Sequence, residues 1–329
     1  MRRLGLLSMI LLLIISAACG NKSADKKDGT LNIYTTMYPL EYFTERIGGK
    51  HVEVSSIIPH GADAHTYEPS TKKMVEITEG DAFVYNKLES DEFSSSVADT
   101  LKEEDVPIVD AAKGVELAHM EEHEDEGTHE EHEGEESHED HEGEESHENE
   151  EHHEHGSLDP HIWLDPVLAQ QMADNIYNGL VKIKPDAKDD FKKNHEALIK
   201  DLKELDSAFK NSVENAPKDA FIVSHAAYGY WAERYGLEQI AISGLSPSHE
   251  PSQHQIENII KNAKKEKISY ILFEENVNNK VAAMINKEVG AKTMTLHNLE
   301  TLTKEDINNN RDYLSIMKEN IETLSKALQ

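Results

Sequence analysis

The sequence predicts an α/β protein of two lobes, and three observations carry the prediction. Short β-branched runs recur with helical stretches between them, in two sets of four. Such alternation indicates mostly parallel four-stranded sheets flanked by helices, one per set. Between the sets, apolar residues at helical spacing continue for about thirty residues, which predicts one long helix joining the lobes. Ahead of that helix, positions 119–155 hold ten His and nineteen Asp or Glu, with no Lys or Arg. That run has almost no apolar side chains to offset ordering entropy, so it is expected to be a disordered loop.

The elements follow in order. Met1-Arg2-Arg3, an apolar run from Leu4 to Ile15 and Ser16-Ala17-Ala18-Cys19-Gly20 read as an export signal over 1–18. The run is too short for a stable membrane-spanning helix. Cys19 is the only cysteine, which excludes a disulfide framework. Its place resembles a bacterial lipoprotein signal, implying a lipid anchor on Cys19 and residence at the extracytoplasmic face of the cell membrane. Residues 19–30 are polar and Lys-rich, as a tether should be.

The first lobe is expected over 31–185, with strands near 31–36, 52–58, 81–86 and 106–110. Asp165-Pro166 supplies an N-cap and a proline at the first helical position, opening a helix that Lys184-Pro185 ends. The long helix, 186–216, carries Phe191, Leu198, Ile199, Leu202, Leu205, Phe209 and Val213 on one stripe, and Ala216-Pro217 stops it. At about thirty residues it would span roughly 45 Å, and a helical connector of that kind predicts modest lobe motion. The second lobe, 217–329, has strands near 220–224, 238–242, 268–273 and 292–296.

Formal net charge is −31, of which −19 falls in 119–155 and −12 elsewhere. This acidity argues against a nucleic-acid surface and identifies no substrate. Within the run, His132 to Glu139 recurs as His141 to Glu148, a local duplication. Neutral imidazole is the commonest protein ligand for zinc, copper and nickel. His123, His129, His132, His138, His141, His147, His152, His153 and His155 are therefore expected to form weak, flexible auxiliary sites.

Outside the loop, three histidines sit in dense contexts. His65 lies in Pro59-His60-Gly61-Ala62-Asp63-Ala64-His65-Thr66-Tyr67-Glu68-Pro69-Ser70, just after a strand. His161 lies in Asp159-Pro160-His161-Ile162-Trp163-Leu164-Asp165-Pro166, just before a helix. His225 ends the strand in Phe221-Ile222-Val223-Ser224-His225-Ala226-Ala227-Tyr228-Gly229-Tyr230-Trp231. Ligands in open α/β folds gather at the carboxyl ends of strands. Singly each histidine is more often structural; together, beside a histidine reservoir, they point to a metal.

These segments resemble the zinc and manganese solute-binding family, the metal-binding lipoproteins of bacterial ABC importers, over essentially the whole mature chain. The resemblance implies one metal in the cleft between two lobes, with His65, His161 and His225 as ligands. It implies a late acidic fourth ligand, for which Glu300 in Leu296-His297-Asn298-Leu299-Glu300-Thr301 fits best. Glu274, Glu275 and His297 stay open as rivals, the two acids also reading as a helix N-terminal pair. It further implies importer permease and ATPase subunits as partners of a monomeric chain.

Three histidines and a carboxylate suit zinc at four-coordinate geometry, whereas manganese carriers of the family replace the third histidine with a carboxylate. Affinity order also admits copper and nickel. Tyr228, Tyr230, Trp231 and Tyr235 read as a helix packed on its sheet rather than an aromatic box. His249-Glu250-Pro251-Ser252-Gln253-His254 has the wrong spacing for a metalloprotease helix and reads as a loop beside the cleft. His51, His60 and His195 carry no supporting context. The leading function is a lipid-anchored zinc carrier serving an importer; the alternatives are a manganese- or iron-binding importer component, a zinc hydrolase, and an extracellular metal buffer or adhesin. No HExxH or nucleophile motif supports the hydrolase, and the expected protein is not an enzyme.

Overall fold

The computed structural model describes residues 29–87, 92–120, 157–247, 251–274 and 280–329. The export signal, Cys19, the nine auxiliary loop histidines, His249 and Glu275 lie outside the described residues. Among the described residues, no helix is long and apolar enough to cross a membrane.

All eight expected runs form strands. The first sheet holds β1 (Leu31–Thr35), β2 (Val52–Ser56), β3 (Ala82–Tyr85) and β4 (Ile108–Asp110), in the order β2-β1-β3-β4. The second holds β7 (Ala220–His225), β8 (Glu238–Ser243), β9 (Tyr270–Phe273) and β10 (Lys292–Thr295), in the order β10-β9-β7-β8. Every pairing in both is parallel, and read from opposite edges the two orders are the same topology. β4 starts later than expected because Pro107 has no N–H to enter the ladder, although its carbonyl accepts from Phe83 N at 2.9 Å. A further antiparallel ribbon, β5 (His119–Met120) with β6 (Ser157–Leu158), was not anticipated. It moves the start of the His- and acid-rich insertion from 119 to after Met120.

Helices α1 (Tyr38–Gly48), α2 (Thr71–Thr78) and α3 (Glu92–Glu103) alternate with the first strands. α4 (Pro166–Ile183) begins as expected: Asp165 Oδ1 accepts from Val167 N at 2.7 Å and Leu168 N at 3.1 Å. Gly179 lets α4 lie against β4, since a Cβ there would stand 2.5 Å from Val109 Cγ2. The long helix α5 is Lys188–Val213, 26 residues rather than about thirty. At 1.5 Å per residue it spans roughly 39 Å. The difference lies at both ends: Pro185–Ala187 form a separate 3₁₀ turn, and the helix finishes before Pro217.

The second half adds α6 (Gly229–Tyr235), α7 (Gln253–Lys265), α8 (Lys280–Val289), α9 (Lys304–Asn308) and α10 (Tyr313–Ala327). α7 corrects one reading. Ser252 caps it, accepting from Gln255 N at 3.3 Å, so His254 stands in a helical first turn rather than a loop. Pro251 precedes the cap, where it does not disturb a helix.

α5 buries Phe191, Leu198, Leu202, Leu205 and Phe209, while Ile199 and Val213 are half-buried. It packs on α4 and α1 along one part and on α6 and α10 along another. Each buried Leu or Phe on that stripe contributes about 1.5–3 kcal/mol. The largest apolar cluster joins β1 and β3 of the first sheet to β7 and β9 of the second through these helices. Smaller clusters fill the outer faces, one against α3 and one against α7 and α8. The two sheets thus share a core.

Candidate metal centre

Four elements deliver four side chains to one point. His65 lies in the loop after β2, where Asp63 Oδ1 accepts its backbone N–H at 2.9 Å. His161 follows β6 and opens the turn Ile162–Leu164 ahead of α4. His225 is the last residue of β7, whose six residues are all buried. Glu300 follows β10, just after Leu299, which adopts a left-handed φ of 64°. That conformation is uncommon for leucine, and Leu299 N donating to His297 Nδ1 at 2.8 Å retains it.

One donor atom from each of His65, His161, His225 and Glu300 lies within 4.8 Å of the other three. His161 Nε2 stands 3.4 Å from His225 Nε2 and 3.6 Å from Glu300 Oε1, and His65 Nε2 is 2.9 Å from the same oxygen. Zinc bonds of about 2.0–2.1 Å give tetrahedral edges of about 3.3 Å, close to the 3.4 and 3.6 Å separations made by His161. His65 Nε2 is buried, and the Glu300 carboxylate oxygen is the polar atom it faces, at 2.9 Å.

Two carboxylates stand behind the imidazoles. Asp159 Oδ1 is 2.8 Å from His161 Nδ1 and also accepts the His161 backbone N–H at 2.9 Å. Glu274 Oε1 sits against His225 Nδ1 and accepts from Ser224 Oγ at 3.2 Å. Each carboxylate is placed to accept from Nδ1–H, and in that neutral tautomer the Nε2 lone pair is free to face the shared point. Glu274 is thus engaged through both oxygens, Oε1 behind His225 and Oε2 accepting from Asn298 Nδ2 at 3.1 Å. His297 is committed too, with Nδ1 accepting from Leu299 N and Nε2 3.2 Å from Asp306 Oδ2.

The electrostatics suit a cation. Burial alone would raise the Glu300 carboxyl, but His65 and His161 beside it hold it well below the usual carboxylate range. Burial opposes charge on His161, yet Asp159 and Glu300 outweigh it and push the ring up to about 9. His65 is raised as well: burial lowers it and Glu300 prevails. The pocket thus favours positive charge beside the Glu300 carboxylate.

The aromatics beside the site are structural. Tyr228 hydroxyl donates to Leu296 O at 3.2 Å, Trp231 Nε1 to Leu164 O at 2.6 Å and Tyr230 hydroxyl to Asp159 O at 2.7 Å. These bonds pin α6 against the segments carrying the donors, as the packing reading expected. His51 pairs with Asp190 and His195 with Asp174, each at 2.7 Å and away from the centre. The supporting roles of Asp159 and Glu274 were missed. Asp159, two residues before His161, offered a local signal; Glu274, 49 residues from His225, offered none.

Comparison with known proteins agrees with this architecture. The family model for ZnuA, zinc-uptake complex component A, matches residues 33–327. The zinc-binding lipoprotein AdcA of Streptococcus pneumoniae is 38% identical over 327 residues, 99% of this chain but 61% of AdcA, so the chain spans less than two thirds of that relative. The high-affinity zinc uptake system protein ZnuA of Bacillus subtilis is 37% identical over 328 residues, covering 98% of this chain and 97% of that protein. The Zn(II)-bound ZnuA-like domain of S. pneumoniae AdcA superposes with a TM-score of 0.72 at 34% identity, covering 91% of this chain and 99% of that one. The chain belongs to the ZnuA family of zinc-uptake solute-binding proteins.

Proposed function

We propose that this protein captures zinc outside the cytoplasm and delivers it to the permease and ATPase subunits of an ABC importer. The observation that carries the reading is the convergence of three imidazoles and one carboxylate, His65, His161, His225 and Glu300, within 4.8 Å. Its relatives, a zinc-binding lipoprotein and a high-affinity zinc uptake protein, support the same cargo. Residues 31–185 and 217–329 act as lobes on a connector at 186–216, and lipid on Cys19 holds the chain at the membrane.

Zinc suits this donor set, since three nitrogens and one oxygen fill a tetrahedral sphere. A hydrolase needs a fourth position for an activated water, which four protein donors leave no room for. Manganese prefers an oxygen-rich, higher-coordinate site, and His225 makes this one nitrogen-rich. The metal-free fold keeps Glu300 ionised and protonates His161; an arriving zinc ion displaces that proton and takes over the carboxylate.

The test is competitive titration with zinc and manganese, followed by zinc-limited growth of cells lacking the chain. One tight zinc equivalent, weak manganese binding and growth restored only with an intact importer are expected. Growth restored equally without the importer would overturn the delivery role in favour of a buffer or adhesin.

A further inference from the structure

We propose that Asn298 is a positioning residue that sets three of the four zinc donors at once, an inference that rests on the zinc-site reading above. Its side-chain Nδ2 donates to Glu274 Oε2 at 3.1 Å, and its Oδ1 accepts from Glu300 N at 3.2 Å. Its backbone carbonyl accepts from Trp163 Nε1 at 2.8 Å. The amide orientation is dictated by chemistry: a carboxylate only accepts and a backbone N–H only donates, so NH₂ faces Glu274 and oxygen faces Glu300.

Each contact ends on the support of a different donor. Glu274 gives its other oxygen to His225 Nδ1, so Asn298 fixes the carboxylate that fixes that ring. Glu300 is itself a donor, reached through its own backbone N–H just past the left-handed Leu299. Trp163 follows His161 by two residues, and its ring centroid is 5.3 Å from the His161 imidazole. His161 and His225 approach from opposite halves of the chain, and Asn298 is the residue bonded to the supports of both. It is half-buried, so replacing it opens no large core cavity.

The role predicts a specific rescue. N298D keeps the oxygen that accepts from Glu300 N but turns a carboxylate oxygen toward Glu274, where two like charges repel and Glu274 loses its hold on His225. Adding E274Q reverses the polarity of the pair: the amide introduced at position 274 donates to the carboxylate introduced at position 298, and its oxygen still accepts from His225 Nδ1. The experiment measures zinc affinity by chelator competition and the visible spectrum of cobalt(II), a zinc substitute that absorbs strongly only in a tetrahedral site. N298D and N298A should bind zinc about 10–100-fold more weakly than wild type, the range found when supporting partners of metal ligands are removed. The cobalt band of N298D should fall, and N298D/E274Q should recover most of both signals. Unchanged affinity and spectrum in N298D and N298A, or a double variant no better than N298D, would overturn the proposal. A wild-type protein with no tetrahedral cobalt band would instead overturn the zinc-site reading, and this inference with it.

Discussion

Thr301 donates its hydroxyl to the Ala62 carbonyl across 3.2 Å, joining the segment that carries Glu300 to the loop that carries His65. Tyr38 N donating to Glu300 O at 3.1 Å makes a second tie between the two halves at the same place. These two bonds join the halves of the chain immediately beside the proposed metal donors, and any separation of the halves there would break them. T301V preserves shape and removes the hydroxyl; a net hydrogen bond is worth about 0.5–1.5 kcal/mol, so zinc should dissociate roughly two- to tenfold faster. Stopped-flow transfer of zinc to a chromogenic chelator measures the rate. An unchanged rate would mean the Thr301 bond does not resist that separation.

E300A should weaken zinc binding more than E274A. The first removes a donor atom, whereas the second removes only the acceptor that orients His225. E274A is expected to lose about 10–100-fold in affinity and E300A more than that. Chelator competition at fixed pH ranks them, and an E274A loss equal to or larger than that of E300A would contradict the assignment of roles.

Zinc-dependent stabilisation should grow between pH 6.5 and 9. His161, raised to about 9 beside Asp159 and Glu300, lends the metal-free fold stability that is full below its ordinary value near 6.5 and is lost as pH rises toward 9. Zinc requires neutral imidazole, so its competition with the proton eases over that same window. Glu300 is lowered and acts oppositely: its contribution is present above the ordinary carboxylate range and is lost on acidification. Thermal unfolding with and without zinc should show a melting increment that rises across this interval, and calorimetry near pH 7.5 should detect proton release. A flat increment without proton release would contradict the protonated state of His161.

Much of this was legible in the sequence, because the strands are short β-branched runs and the long helix keeps its apolar stripe. The three histidines could be found because each falls at a strand end or helix start with an unusual local context. The partners of their Nδ1 atoms could not, since Glu274 meets His225 only once β7 and β9 pair in one sheet. His254 reads as loop when the run is judged only by its spacing against a metalloprotease helix, whereas Ser252 and Gln255 carry the capping pattern that starts α7. The ribbon of His119–Met120 with Ser157–Leu158 is too short for any periodic signal.

Removing 121–156 should spare the cleft site. Met120 and Ser157 are paired across the ribbon, so an Asn-Gly turn can close the gap without moving Asp159. Titration should show fewer total zinc equivalents, one tight equivalent retained, and impaired growth chiefly under zinc scarcity. Loss of the tight equivalent would show that the His- and acid-rich insertion holds the principal site.

The central claim is that one zinc ion sits among His65, His161, His225 and Glu300, and anomalous diffraction at the zinc edge from metal-loaded crystals tests it most directly. The expected result is a single strong peak bonded to three histidine Nε2 atoms and a Glu300 oxygen at about 2.0–2.2 Å, with Asp159 and Glu274 still on the Nδ1 atoms. A peak lying elsewhere, or bonded to a Glu274 oxygen with Glu300 displaced, would contradict it.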